Sequence, residues 1–132
     1  MKIEHFALNV PDPKEMADWY VQNLGMKIVR QQKEPPFMTF LADASGQVMI
    51  EIYHNSSAPV PDYKNQDVLV VHLAFSTSDP KGDKRRLQMA GAREDSDDIT
   101  GAGDHLIMMR DPWGIPIQLC KRANPMISPG EL

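Results

Sequence analysis

The chain has 132 residues, a net charge of −4 at pH 7, 42% apolar residues and 24% charged residues, values typical of one globular domain. The acidic balance gives no electrostatic signature of nucleic-acid binding, and no apolar run is long enough to cross a bilayer. The N-terminal segment lacks the layout of a signal peptide, and the single cysteine, Cys120, fits a reducing compartment, so we expect a cytoplasmic protein.

The first half of the sequence predicts the element order β-α-β-β-β. Alternating apolar residues predict a strand over 3–10. A helix follows, with Asp12 as its N-cap, Pro13 at its first position and Gly25 at its end. Three further strands are predicted over 26–31, 37–42 and 47–53.

The second half repeats this order. A strand is predicted over 68–76, and a helix capped by Asp79 is predicted to reach about residue 90. The remaining strands are predicted near 92–95, 106–110 and 115–121, and the acidic run 94–98 is predicted to form a solvated loop. We therefore expect a single domain over 1–132, with a first βαβββ module at 1–54, a linker at 55–66, a second module at 67–122 and an irregular tail at 123–132.

Two pairs of potential metal ligands recur at one offset. His5 and His72 are 67 residues apart, and so are Glu51 and Gln118. Strand alternation places each of these residues on the sheet face away from the predicted helix. One histidine in a strand is more often a core or surface residue, but the matched recurrence favours a site. Two imidazoles with two side-chain oxygens suit a divalent transition metal, so the sequence predicts a metal site formed by these four residues.

Other polar and aromatic residues are weaker candidates. His54 lies at a strand end with the opposite parity to Glu51, which predicts exposure to solvent. His105 begins a predicted strand and is a candidate for substrate contact, although a plain surface role is commoner. Residues that could line a substrate cavity, although core positions would explain them equally well, are Met49, Tyr53 and Trp113.

Taken together, the motifs resemble the vicinal oxygen chelate superfamily, which includes glyoxalase I, methylmalonyl-CoA epimerase, extradiol dioxygenases, and the fosfomycin and bleomycin resistance proteins. The resemblance covers residues 2 to about 121, and its motifs are His5, DPK-x-x-x-x-x-Y followed by NLGM, Glu51 in IEIY, His72 in VVHLAF, and DPWG-x-P-I-Q. It implies an α+β fold of two tandem βαβββ modules whose curved mixed sheets form a half-open barrel around a metal or ligand cavity. The implied ligands come from the first and fourth strands of each module, the positions of His5, Glu51, His72 and Gln118.

The resemblance also implies a chemistry. A small oxygenated substrate would chelate a divalent ion (Ni, Co, Zn, Fe or Mn), and Glu51 would move a proton in isomerase, lyase or dioxygenase chemistry. Members of this length are usually homodimers, and many build each metal site from two chains. The alternative is a metal-free small-molecule binding or resistance protein of the bleomycin-resistance type.

Two positions depart from glyoxalase I. Gln118 stands where most metal-using members have Glu, which resembles the catalytic base of glyoxalase I, and a neutral amide cannot take a proton. Asn9 stands where glyoxalase I has an Arg that grips glutathione, whereas Asn55 matches the family's glutathione contact. We therefore treat Asn9 and Asn55 as substrate-binding candidates and do not expect glyoxalase I activity. The set of two His, one Glu and one Gln also resembles methylmalonyl-CoA epimerase with its halves exchanged.

Overall fold

The structure is a computed structural model that describes residues 1–127. The chain divides into two compact units, Met1–Pro61 and Asp62–Leu132, and the division falls inside the predicted linker. The predicted tail at 123–132 has no helix or strand as far as residue 127, and residues 128–132 lie outside the described part of the chain. Over residues 1–127, no helix combines the length and the apolar character needed to span a membrane.

The first unit has the predicted βαβββ order. Its elements are β1 (His5–Asn9), α1 (Pro13–Leu24), β2 (Lys27–Gln31), β3 (Thr39–Ala42) and β4 (Met49–Tyr53). The sheet order is β1-β4-β3-β2, with β1 parallel to β4 and the other pairs antiparallel. The Asp12 carboxylate accepts the backbone N–H of Glu15 at 3.2 Å, and Gly25 ends α1 with a left-handed φ of 66°.

One face of the first sheet packs on α1 and forms the core. Met16 and Tyr20 of α1 are fully buried, as are Leu41 of β3 and Ile52 of β4. Each such side chain contributes roughly 1.5–3 kcal/mol when it is buried. Because side chains alternate along a strand, the opposite face carries Glu51 and its neighbours on β1.

The second unit repeats the architecture. After a short 3₁₀ helix (Tyr63–Asn65) come β5 (Leu73–Ser76), α2 (Pro80–Met89), β6 (Arg93–Ile99), β7 (His105–Arg110) and β8 (Pro116–Lys121). The sheet order is β5-β8-β7-β6, again with one parallel pair, β5 and β8. The predicted α+β fold of two tandem modules is confirmed, and each sheet is curved and open.

The repeat extends to strand register and to irregularities. Phe6 lies opposite Ile50 in the first sheet, and the equivalent pair 67 residues on, Leu73 and Ile117, lies opposite in the second. The second strand of each module also carries a register shift, within 28–30 in β2 and within 94–96 in β6. Equivalent positions in the two units can therefore be compared residue by residue.

Two sequence-based boundaries were wrong. The strand predicted over 68–76 is shortened to β5, because the Asp67 carboxylate accepts the Leu69 N–H at 2.8 Å and residues 68–70 form a turn. The acidic run predicted as a loop lies instead in β6. Its charge is compensated by Lys84 of α2, whose Nζ is 2.6 Å from Asp97 and 3.2 Å from Glu94.

Candidate functional site

His5 and Glu51 form a donor pair in the first unit. Ala7 of β1 lies directly opposite Glu51 of β4, so His5, two residues before Ala7, shares the face of Glu51. The distance between His5 Nε2 and Glu51 Oε1 is 3.9 Å, and the two side chains are 36% and 14% exposed. The pair is therefore close enough to bind one ligand together and open enough for that ligand to enter.

Neighbouring groups fix the orientation of the His5 ring. Its Nδ1 lies 2.9 Å from a carboxylate oxygen of Glu4, and its ring meets Phe40 edge-on at 5.3 Å. Because an ionised carboxylate only accepts hydrogen bonds, Nδ1 is the donor in this contact, and Nε2 is the ring nitrogen on the side of Glu51. The sequence analysis did not identify Glu4. The available signal was an acidic residue beside a candidate ligand, the kind of partner that orients metal-binding histidines.

The second unit holds the equivalent pair, His72 and Gln118. His72 directly precedes β5, and its Nδ1 donates to the carbonyl oxygen of Val68 at 3.0 Å, which again leaves Nε2 for a ligand. Gln118 lies opposite Ala74, the register equivalent of Ala7. In the part of the chain that the structure describes, no group of three or more His, Cys, Asp and Glu side chains could hold a metal ion.

Gln118 already has a partner on its own strand. Its Oε1 accepts a hydrogen bond from the Cys120 thiol at 3.2 Å. Burial raises the pKa of this thiol above its usual value, so Cys120 stays protonated as a donor. A ligand that binds the Gln118 oxygen would share it with the thiol or replace the thiol.

The substrate-binding candidates of the first unit lie on the same face as Glu51. Met49 and Tyr53 flank Glu51 at alternate positions of β4 and are half-buried, and Asn9 lies opposite Tyr53. The Asn9 amide donates to the Asn55 carbonyl oxygen at 3.0 Å and accepts the Asn55 N–H at 2.9 Å. Asn9 and Asn55 therefore also hold the following loop against the end of β1, a structural role beside the predicted substrate contact.

His105 and Trp113 lie elsewhere in the second unit. Met108 of β7 is directly opposite Gln118, so His105, three residues earlier, is on the other face, the one that α2 covers. Trp113 lies in the turn between β7 and β8, where its backbone N–H donates to the Asp111 carboxylate at 2.9 Å. The structure therefore does not bring His105 onto the face of Gln118.

His105 belongs instead to an ionic group that we call the Lys84 cluster (Lys84, Glu94, Asp97 and His105). The Asp97 carboxylate bridges Lys84 Nζ at 2.6 Å and His105 Nε2 at 2.7 Å. The hydrogen bond from Lys84, and then that from His105, holds the pKa of Asp97 below its ordinary value. The same contact with Asp97 raises the pKa of Lys84.

The Lys84 cluster makes stability depend on pH in a defined direction. Because the folded pKa of Asp97 lies below the unfolded value of about 3.8, its contribution is present above that pH and is lost as the pH falls through the folded pKa. The variant Asp97→Asn should therefore be less stable than wild type at pH 7, and this difference should shrink below about pH 3.8. Urea unfolding at pH 7 and pH 3 measures it. Asp98→Asn, at the exposed neighbouring residue, is the control, and an equal Asp97→Asn effect at both pH values would contradict the prediction.

Comparison with known proteins identifies the family. The family model described as Glyoxalase/Bleomycin resistance protein/Dioxygenase superfamily matches residues 2–119. Among solved structures, TnmS3, an antibiotic binding protein from Streptomyces sp. CB03234, is 21% identical with a TM-score of 0.72, over 93% of this chain and 97% of that one. A superfamily member from Sphaerobacter thermophilus DSM 20745 is 16% identical with a TM-score of 0.72, over 91% of this chain and 96% of that one.

TioX from Micromonospora sp. ML1 is similar as well, at 18% identity and a TM-score of 0.67, over 92% of this chain and 99% of that one. No curated protein matches the sequence. At these identities the structural likeness shows the fold alone. The match of the family model, which spans nearly all of the described residues, shows that the chain belongs to the glyoxalase/bleomycin resistance protein/dioxygenase superfamily.

Proposed function

We propose that the protein is a metal-dependent enzyme that acts on a small oxygenated substrate chelated to a divalent ion (Ni, Co, Zn, Fe or Mn). The observation that carries the proposal is the pair of His5 Nε2 and Glu51 Oε1, 3.9 Å apart on an open sheet face. Ligands of one such ion lie about 3–3.5 Å apart, so a shift of about half an ångström brings both atoms into coordination. The residues that would hold the ion are His5, Glu51, His72 and Gln118.

The side chains divide the chemistry between them. A bound divalent ion would supply Lewis-acid stabilisation of charge on a substrate oxygen. Glu51 is the group that takes a proton from the carbon beside that oxygen and returns it, because its carboxylate is half-buried on the same face. Gln118 contributes only a neutral oxygen, which argues against the two-carboxylate arrangement of glyoxalase I. Isomerase, lyase or dioxygenase chemistry remains consistent with this donor set.

We further propose that the protein is a cytoplasmic homodimer. Each four-stranded sheet has two edge strands, β1 and β2 in the first unit and β5 and β6 in the second. Exposed strand edges and an open sheet face are features that a partner chain commonly covers. The thiol of Cys120 is free and buried, as expected in a reducing compartment.

A second candidate is a metal-free binding protein. It is favoured by the hydrogen bond from the Cys120 thiol to Gln118 Oε1, which gives that oxygen a protein partner in place of an ion. The structural likeness to TnmS3, an antibiotic binding protein, is compatible with this function. In this case the face of Glu51 would bind an organic molecule directly.

Metal analysis of protein purified without added metal or chelator separates the two functions. For the enzyme we expect about one divalent ion per 14.9 kDa chain, and native mass spectrometry should show a particle of twice that mass. A chelator should remove the ion, and added Co²⁺ should restore it. Protein that contains no metal, and that takes up none of Ni²⁺, Co²⁺, Zn²⁺ or Mn²⁺ at millimolar concentrations, would contradict the enzyme and favour the binding protein.

A further inference from the structure

The first unit contains a cavity of about 520 Å³ that is separate from the face of Glu51. Thr39, one of its lining residues, lies opposite Ile52, and both are buried on the side that α1 covers. The cavity is bordered by the start of α1, the end of β2 and the loop that leads into β3. Its volume is within the range of sites that hold small organic molecules.

The second unit has charged side chains at two positions where the first unit has uncharged ones. In the first sheet Gln31 lies opposite Thr39, and the equivalent pair in the second sheet is Asp97 opposite Ile107. Ala17 of α1 likewise corresponds to Lys84 of α2, at the 67-residue offset that relates the two N-caps. Two members of the Lys84 cluster, Lys84 and Asp97, therefore stand where the first unit has Ala17 and Gln31, and of these two residues Gln31 lines the cavity.

The walls of the cavity are mainly apolar. Pro11, Pro13 and Phe37 contribute ring surfaces. Phe37 adopts a left-handed backbone with φ of 58°, which is costly for a residue other than glycine. Its conformation is held by the hydrogen bond from its N–H to the Glu34 carbonyl oxygen at 2.8 Å, and by its own carbonyl, which accepts from the Thr39 hydroxyl at 3.1 Å. These contacts hold the backbone of Phe37 in its strained conformation beside the cavity, where the side chain is 38% exposed.

The charged groups around the cavity are predominantly basic. Lys14 and Lys33 both line it, and Lys33 has no ion-pair partner among residues 1–127. Lys14 is paired with Asp18 at 3.1 Å, but that pair is exposed and therefore weak. The one lining carboxylate, Asp12, is engaged as the N-cap of α1. The lining residues therefore carry two positive charges and one negative charge, in a chain whose net charge is −4.

His54 completes the lining. Its Nδ1 donates to the Val10 carbonyl oxygen at 2.8 Å, which fixes the ring and leaves Nε2 for other contacts. The side chain of His54 is exposed, as the sequence predicted. The chain after β4 turns back toward Pro36, whose carbonyl oxygen accepts the His54 backbone N–H at 2.8 Å, and His54 lies beside the cavity.

We propose that this cavity binds a small aromatic carboxylate. The aromatic ring of the ligand would pack against Pro11, Pro13 and Phe37, and its carboxylate would lie toward Lys33 and Lys14. Apolar walls alone would accept any apolar molecule, and it is the positive charge at the rim that selects the anion. This site does not depend on the proposed metal function, because it is on the other side of the first sheet.

Titration of ¹⁵N-labelled protein with 2-naphthoate, followed by NMR and calorimetry, tests the proposal. We expect the largest amide shifts at Gln32, Phe37 and Thr39, and tighter binding of 2-naphthoate than of the neutral 2-naphthamide. Largest shifts elsewhere, equal affinity of the two compounds, or no binding at millimolar concentrations would each overturn the proposal.

Variants separate the charged and aromatic contributions. Lys33→Gln should weaken 2-naphthoate binding about two- to fivefold, the range expected for one exposed charge. Lys27→Gln, which removes an exposed lysine of β2 that does not line the cavity, is the matched control and should have no effect. Phe37→Leu should weaken binding of both compounds, and Phe37→Gly, which also relieves the left-handed backbone, should do so without loss of stability. Unchanged affinity in both Phe37 variants would contradict the cavity as the site.

Discussion

Replacement of Glu51 by alanine is expected to weaken Co²⁺ binding at least about a hundredfold, because it removes the single anionic donor from the proposed ligand set. Mutation of residues that only hydrogen-bond to metal ligands already changes metal affinity by about 10- to 100-fold, so removal of a direct ligand should have a larger effect. The remaining donors would be the nitrogens of His5 and His72 and the neutral oxygen of Gln118. Isothermal titration with Co²⁺ measures the loss, and the visible spectrum of the ion reports its coordination.

Two further variants make this result interpretable. Glu51→Gln keeps an oxygen but removes the charge and the proton acceptor, so its affinity should fall between those of wild type and Glu51→Ala. Glu34→Ala removes one exposed carboxylate from the same unit, changes the net charge equally and should leave Co²⁺ affinity unchanged. If Glu51→Ala is folded and binds Co²⁺ as tightly as wild type, the face of Glu51 is not a metal site.

Conversion of Gln118 to glutamate should strengthen Co²⁺ binding by about tenfold. A divalent ion with one carboxylate ligand keeps a net charge of about +1, and a second carboxylate brings that charge toward zero. The added attraction amounts to several kcal/mol at the effective dielectric of a protein surface, and desolvation of the new carboxylate offsets part of it. The existing contact should survive, because a carboxylate oxygen can still accept from the Cys120 thiol.

Gln88→Glu is the matched control for this change. Gln88 is exposed on α2, so the variant adds the same charge away from the sheet and should not alter Co²⁺ affinity. The metal affinities of the Gln118→Glu variant should also follow the usual order, with Ni²⁺ and Co²⁺ bound more tightly than Mn²⁺. Equal Co²⁺ affinity in wild type and Gln118→Glu would remove Gln118 from the ligand set.

The helices and strands were predicted well wherever a local sequence feature is typical of only one kind of structure. The caps at Asp12 and Asp79 and the left-handed Gly25 are local devices, and both helices begin and end within about one residue of the prediction. The apolar run before β5 was misread because its periodicity matches a strand. The Asp67 side chain, which takes the Leu69 N–H, turns that run into a bend. Such a contact depends on side-chain geometry that hydrophobic patterning does not report.

Residues of the candidate site could be predicted from the sequence only where they recur at the same offset in both halves of the chain. The common offset located the pair His5 and Glu51, whose 3.9 Å separation agrees with a shared face. The partners that orient the histidines, Glu4 and the Val68 carbonyl, have no recurring pattern and were not identified. The cavity beside Phe37 was also missed, because its lining residues come from segments that are distant in sequence.

The duplicated register shifts in β2 and β6 also affect how the sheets meet other chains. Both are edge strands, and a bulge twists such a strand and interrupts its row of free backbone groups, which discourages the addition of a foreign strand. The opposite edges, β1 and β5, pair with their neighbours in unbroken register. Unwanted β-aggregation of this protein should therefore begin at β1 or β5, and a lysine placed on either strand would be the economical way to suppress it.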